Sequence, residues 1–83
     1  MFRDSAQSKA ALRFLRLLFY ARQDDRSGGG LKPQDLFERS GMNNVREMEE
    51  VVKILRANKM IGASNRAFVI TQEGIDYLLR NEH

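Results

Sequence analysis

The chain has 83 residues, of which 42% are hydrophobic and 30% are charged, and a chain of this length builds only one small core. We therefore expect a single domain. The sequence has no cysteine, and its one histidine is His83, so thiolate metal sites and histidine-dependent catalysis lose their usual residues. These absences predict a protein that is not an enzyme and that holds no metal and no cofactor.

The charge is distributed unevenly. The net charge is +3, and residues 1–31 carry six basic and three acidic groups, whereas residues 32–83 carry eight of each. A basic balance is a mild indication of an acidic partner such as nucleic acid. No apolar run approaches the roughly 18 residues that a membrane span requires, so we expect a cytoplasmic protein that does not contact a membrane.

Residues 5–23 predict a long first helix, because they contain no glycine or proline and their polar positions gather on one arc. Apolar residues fill roughly 220° of the remaining circumference, whereas one core needs a stripe of about 100°. We therefore expect two burials, one against the domain and one in a homodimer interface. The residues expected at that interface are Leu12, Phe14, Leu18 and Phe19. In the alternative interpretation, one small core surrounds the helix.

Residues 24–30 are polar and rich in glycine, which predicts a flexible connector. The three glycines do not form a P-loop, because Leu31-Lys32-Pro33 follows them in place of the Lys-Ser/Thr pair.

Residues 32–58 predict a helix-turn-helix. Pro33 suits the first turn of a helix that Gly41 ends, and Asn43 or Asn44 offers an N-cap oxygen to a second helix ending near Asn58. Two helices joined by a glycine turn are typical of this motif.

Residues 60–71 predict a small hairpin, with Asn65 able to accept a positive φ at the turn. Thr71 can cap a last helix over 72–81, in which Ile75, Leu78 and Leu79 face the core.

Five stretches carry a family resemblance: LKPQDL at 31–36, SGMN at 40–43, VVKIL at 51–55, NKMI at 58–61 and ITQEGIDYL at 70–78. Together they make residues 5–81 resemble the winged helix-turn-helix superfamily of small bacterial and archaeal transcription regulators. The resemblance implies an α+β, mostly helical fold with a three-helix core, a two-stranded wing and a C-terminal helix. Phe37 departs from the pattern, because such domains usually carry a small residue there.

The resemblance also implies sequence-specific binding of double-stranded DNA by a homodimeric transcriptional regulator. The second helix of the motif would enter the major groove, and the wing would touch the backbone or the minor groove. Carried over to this chain, the DNA-binding residues are Lys32, Asn43, Asn44, Arg46, Lys53, Asn65 and Arg66. The basic stripe of the first helix, Lys9-Arg13-Arg16, could add charge to this face in a dimer.

An alternative follows from the acidic residues of the same helix. Glu49 with Lys53, and Arg46 with Glu50, are spaced as intrahelical ion pairs, which would leave few cations for phosphate. The helix would then be a solvated face, or the domain would be a protein-protein interaction module in a larger assembly that does not bind DNA.

Overall fold

The computed structural model describes residues 2, 5–24, 30–64 and 66–81. These residues form, in chain order, α1 (Ser5–Asp24), β1 (Gly30–Leu31), α2 (Pro33–Ser40), α3 (Val45–Ala57), β2 (Ile61–Ser64), β3 (Ala67–Ile70) and α4 (Gln72–Asn81). The predicted α+β, mostly helical class is confirmed. No helix in these described ranges is long and apolar enough to cross a membrane.

The three strands form one antiparallel sheet in the order β1-β3-β2. The predicted hairpin is present as β2 and β3, with Ile61 opposite Ile70 and Ser64 opposite Ala67. The third strand, β1, was not predicted: Leu31 pairs with Phe68 at the other edge of β3. Two residues are too few to show the alternation that identifies a strand in a sequence.

The helices begin and end at residues that suit helix termini. Gly41 ends α2 with φ 73°, a left-handed conformation that glycine adopts without strain. The side chain of Asn44 caps α3, and the hydroxyl of Thr71 accepts a hydrogen bond from the N–H of Gly74 at 3.2 Å in the first turn of α4. The predicted caps at Asn44 and Thr71 are confirmed.

Helix α1 lies at the centre of the molecule and contacts α2, α3, α4, β1 and β3. Its wholly or largely buried residues are Ala11, Phe14, Leu15, Leu18 and Ala21. Leu12 and Phe19, on one flank of the helix, are half-buried and pack against the same core. This arrangement favours the alternative interpretation, in which one core surrounds the helix.

The expected dimer interface needs a correction for two of its residues. Phe14 and Leu18 are both 0% exposed, because they fill the chain's own core between α1 and the other elements. In this fold they cannot contact a second copy. Leu12 and Phe19 keep exposed surface and are the remaining interface candidates.

The two ends of the hairpin are tied to the helices beside them. The N–H of Met60 donates to the carbonyl of Leu55 at 2.9 Å, and the N–H of Thr71 donates to the carbonyl of Met60 at 3.0 Å. These bonds connect α3, the hairpin and α4, so that the hairpin is held beside the end of α3. Residues 25–29 of the predicted connector and Asn65 at the predicted turn lie outside the described residues.

Candidate functional site

Helix α3 presents one apolar side inward and one charged side outward. Its buried residues recur at helical spacing and are Met48, Val51, Val52 and Leu55. Arg46 and Lys53, from the predicted DNA-binding set, are exposed on the opposite side. The packing of the inner side therefore fixes which cations of this helix can reach a partner.

The ion pairs expected on α3 are not formed among the described residues. Neither Glu49 with Lys53 nor Arg46 with Glu50 makes a side-chain ion pair. Instead, Glu50 accepts a hydrogen bond from Gln7 of α1 at 3.5 Å. Arg46 and Lys53 consequently keep their charge available for an outside group.

Asn43 and Asn44 precede this helix, and both are exposed. The Oδ1 atom of Asn44 accepts a hydrogen bond from the backbone N–H of Arg46 at 2.9 Å. Reading adenine needs both the oxygen and the nitrogen of an amide, so Asn44 cannot pair with a base in this way while it caps the helix. Asn43 retains both groups and is the better candidate of the two.

Lys32 and Arg66 come from distant parts of the sequence but lie at the same end of the sheet. Gly30 pairs with Val69 and Leu31 with Phe68, and the backbone of Lys32 is still extended, with φ −66° and ψ 152°. Continuing this register places Lys32 opposite Ala67, next to Arg66. Both side chains are exposed. The strand pairing thus brings two cations to the same end of the sheet, which the sequence alone could not show.

A depression with a cavity volume of about 730 Å³ lies between α2, α3 and β3. We call it the α2–α3 groove. Six residues form its apolar lining: Pro33, Phe37, Val45, Met48, Val52 and Phe68. Three charged residues of α3 line it as well: Glu49, Lys53 and Arg56.

Arg56 was missed as a candidate site residue. It lies three positions after Lys53 and is exposed, so both cations project toward the same side of α3. Their spacing was the available signal, but the sequence did not reveal that this flank of the helix borders an open groove. Lys32 directly precedes the groove residue Pro33, and Arg66 is two residues from Phe68.

Two members of the basic stripe of α1 have interactions within the chain. The guanidinium of Arg13 donates a hydrogen bond to the carbonyl of Ser40 at 2.9 Å, at the C-terminus of α2. A cation is favourable there, because it satisfies an unpaired carbonyl and opposes the helix dipole. Arg16 also has an interaction within the chain. Lys9 is exposed and is the member of the stripe best placed to meet an outside group.

Comparisons of this chain with protein families, with curated proteins and with solved structures found no match.

Proposed function

We propose that this protein binds double-stranded DNA as a winged helix-turn-helix domain. The observation that carries the proposal is that cations from three separate parts of the sequence lie in or near the α2–α3 groove. Lys53 lines the α2–α3 groove, Lys32 adjoins it, and Arg66 lies at the end of the sheet whose strand β3 contributes Phe68. Their side chains make no ion pair within the described part of the chain, which suits phosphate binding.

In this proposal, α3 enters the major groove with its N-terminal part foremost. Arg46 and Asn43 are the candidates for base contacts, since arginine pairs with guanine and asparagine with adenine. Lys32, Lys53 and Arg66 contact the backbone on either side. Two copies joined through the Leu12 and Phe19 flank of α1 would read a two-fold symmetric site, and occupancy of that site would regulate transcription.

Fluorescence anisotropy with a mixed pool of labelled duplexes tests the proposal. We expect the logarithm of the affinity to fall linearly with the logarithm of salt concentration, with a slope of about −2 to −4 per chain. Lys53→Gln should make that slope shallower by about 1 on every sequence. Arg80→Gln removes an exposed cation from α4, outside the groove, and should change nothing.

Once a preferred duplex is known, Arg46→Ala should weaken binding to it by about 1 to 3 kcal/mol if Arg46 reads a base. An equal loss on all sequences would reassign Arg46 to a phosphate contact. The absence of any duplex binding at low ionic strength would end the DNA proposal.

The second candidate function is a protein-protein interaction module. It is favoured by the apolar lining of the α2–α3 groove, where Val45 is 54% exposed, because DNA offers few apolar groups to fill such a surface. A stoichiometric complex with a protein partner, together with no salt-sensitive duplex binding, would support this function over the first.

A further inference from the structure

The α2–α3 groove leaves apolar surface uncovered. Val45 is 54% exposed, and Phe37 and Phe68 are half-buried although the core lies directly behind them. The three side chains come from three different elements, α3, α2 and β3, and line one depression. They form a concave surface open to a ligand with an apolar body.

The size of the groove restricts the class of ligand. Its volume of about 730 Å³ lies within the roughly 300–1,000 Å³ of sites that hold small organic molecules. Such sites combine an apolar lining with a few polar groups that orient the ligand. The α2–α3 groove has both features, because its apolar lining is bordered by charged residues of α3.

The charges at the groove indicate the sign of the ligand. Lys53 and Arg56 contribute two cations and Glu49 one anion, and none of the three makes an ion pair within the described residues. Gln34, which also lines the groove, is hydrogen-bonded to Glu38 at 3.4 Å. The net charge of Glu49, Lys53 and Arg56 is thus +1, which complements one anionic group.

We propose that the α2–α3 groove binds a small organic monoanion whose apolar, ring-sized body lies against Phe37, Val45 and Phe68 and whose carboxylate meets Lys53 and Arg56. The proposal concerns the groove alone and goes beyond DNA binding. Its test is made in the absence of DNA, so its outcome is independent of the proposed function.

The experiment is a titration of the ¹⁵N-labelled chain with 2-naphthoate, followed by nuclear magnetic resonance. We expect saturable shifts at concentrations on the order of 1 mM, centred on amides of α2, α3 and β3 around the groove. The uncharged analogue 2-naphthalenemethanol has the same ring system, and its affinity should be at least about threefold lower, since it lacks the charge that the two cations meet.

Two variants locate the site. Val45→Glu places an anion inside the groove on the exposed first turn of α3, where an acidic residue suits the helix dipole, and should weaken 2-naphthoate binding at least about tenfold. Leu79→Glu is its control and should leave binding unchanged, because Leu79 of α4 does not face the core as predicted but is 62% exposed. Arg56→Gln should weaken binding about threefold, whereas Arg80→Gln, in the last turn of α4, should not.

The proposal is overturned if 2-naphthoate causes no saturable shift up to about 5 mM, or if the shifts centre on another surface. Equal affinity for the acid and the alcohol would overturn the anionic assignment. Unchanged binding by a folded Val45→Glu chain would place the site elsewhere.

Discussion

Asn43 and Asn44 are adjacent residues of the same chemistry, but only one of them closes a helix end. The Oδ1 atom of Asn44 accepts a hydrogen bond from the N–H of Arg46, whereas the side chain of Asn43 makes no hydrogen bond among the described residues. A capping oxygen contributes to stability, because the first N–H groups of a helix have no partner within it. Asn44 therefore contributes to stability, and Asn43 is left available for the proposed base contact.

Asn44→Ala should lower the free energy of unfolding by about 1 kcal/mol, the usual effect of losing an N-cap. Asn43→Ala is the matched control and should change that free energy by less than about 0.5 kcal/mol. Chemical denaturation measures both. If Asn43 reads a base, its substitution should weaken DNA binding without loss of stability; equal destabilisation by the two variants would contradict the assignment of the cap.

Arg66 combines an exposed cation with an unusual backbone conformation. Its φ is 64°, in the left-handed region that non-glycine residues rarely adopt. Arg66→Gly should leave the free energy of unfolding unchanged or raise it by up to about 1 kcal/mol, since glycine removes the strain. The same variant should make the salt slope of DNA binding shallower by about 1.

Arg66→Lys is the control for this prediction, because it retains the charge and should retain the salt slope. Thermal unfolding and anisotropy measured on the same preparations compare the two effects. Unaltered DNA binding by Arg66→Gly would remove Arg66 from the proposed interface.

At the scale of elements, the packing of α4 on the hairpin depends on Gly74. A Cβ atom added at Gly74 would overlap the carbonyl oxygen of Met60 and lie 2.8 Å from Cγ1 of Ile70. The carbonyl belongs to the backbone that joins α3 to the hairpin, so it cannot move like a side chain. The close approach of α4 to this backbone explains why a glycine occupies this position in the first turn of α4.

Gly74→Ala should lower the free energy of unfolding by about 1 to 3 kcal/mol through overpacking, although alanine is the better helix former. Gly62→Ala in β2 is the matched control, because its Cβ would lie 3.7 Å from Cγ2 of Val69, an ordinary contact. Calorimetric unfolding distinguishes them. A more stable Gly74→Ala chain would show that α4 does not pack this closely on Met60.

At the scale of the whole molecule, a single chain buries its own hydrophobic core. The radius of gyration is 11.5 Å, close to the roughly 12 Å expected for a compact domain of this length, and α1 is surrounded by the chain's own elements. The fold therefore does not depend on a second copy to cover Phe14 and Leu18. A dimer would form through surface on one side of α1, where Leu12 and Phe19 are half-buried and Tyr20 is 58% exposed.

Tyr20→Glu should shift a dimer toward monomer, because it introduces a charge beside that surface without disturbing the core. Sedimentation equilibrium measures the change, which we expect to be at least about tenfold in the dissociation constant. Leu79→Glu, on α4, is the matched control for an exposed apolar residue. A native chain that stays monomeric at high concentration would exclude this dimer and leave DNA binding to single chains.

Local physical chemistry encoded the succession of elements. The helical spacing of apolar residues, the conformations open to Pro33 and Gly41, and the capping oxygens of Asn44 and Thr71 act within a few residues, so their effects can be deduced from sequence. The same information placed Lys53 and Arg46 on one helix. It assigned too much of the apolar surface of α1 to a dimer interface, because the pattern of apolar residues does not show how many elements of the same chain will surround a helix.

Contacts between distant residues decided the rest. The pairing of β1 with β3 brings Lys32 and Arg66 to the same end of the sheet, the fold opens the α2–α3 groove next to Arg56, and Arg13 reaches the end of α2. None of these contacts leaves a trace in local spacing, because each joins segments whose separation in the chain says nothing of their distance in the folded molecule. The sequence therefore determined the four helices and the β2–β3 hairpin, whereas the tertiary structure alone decided that β1 joins the sheet and which of the charges share a surface.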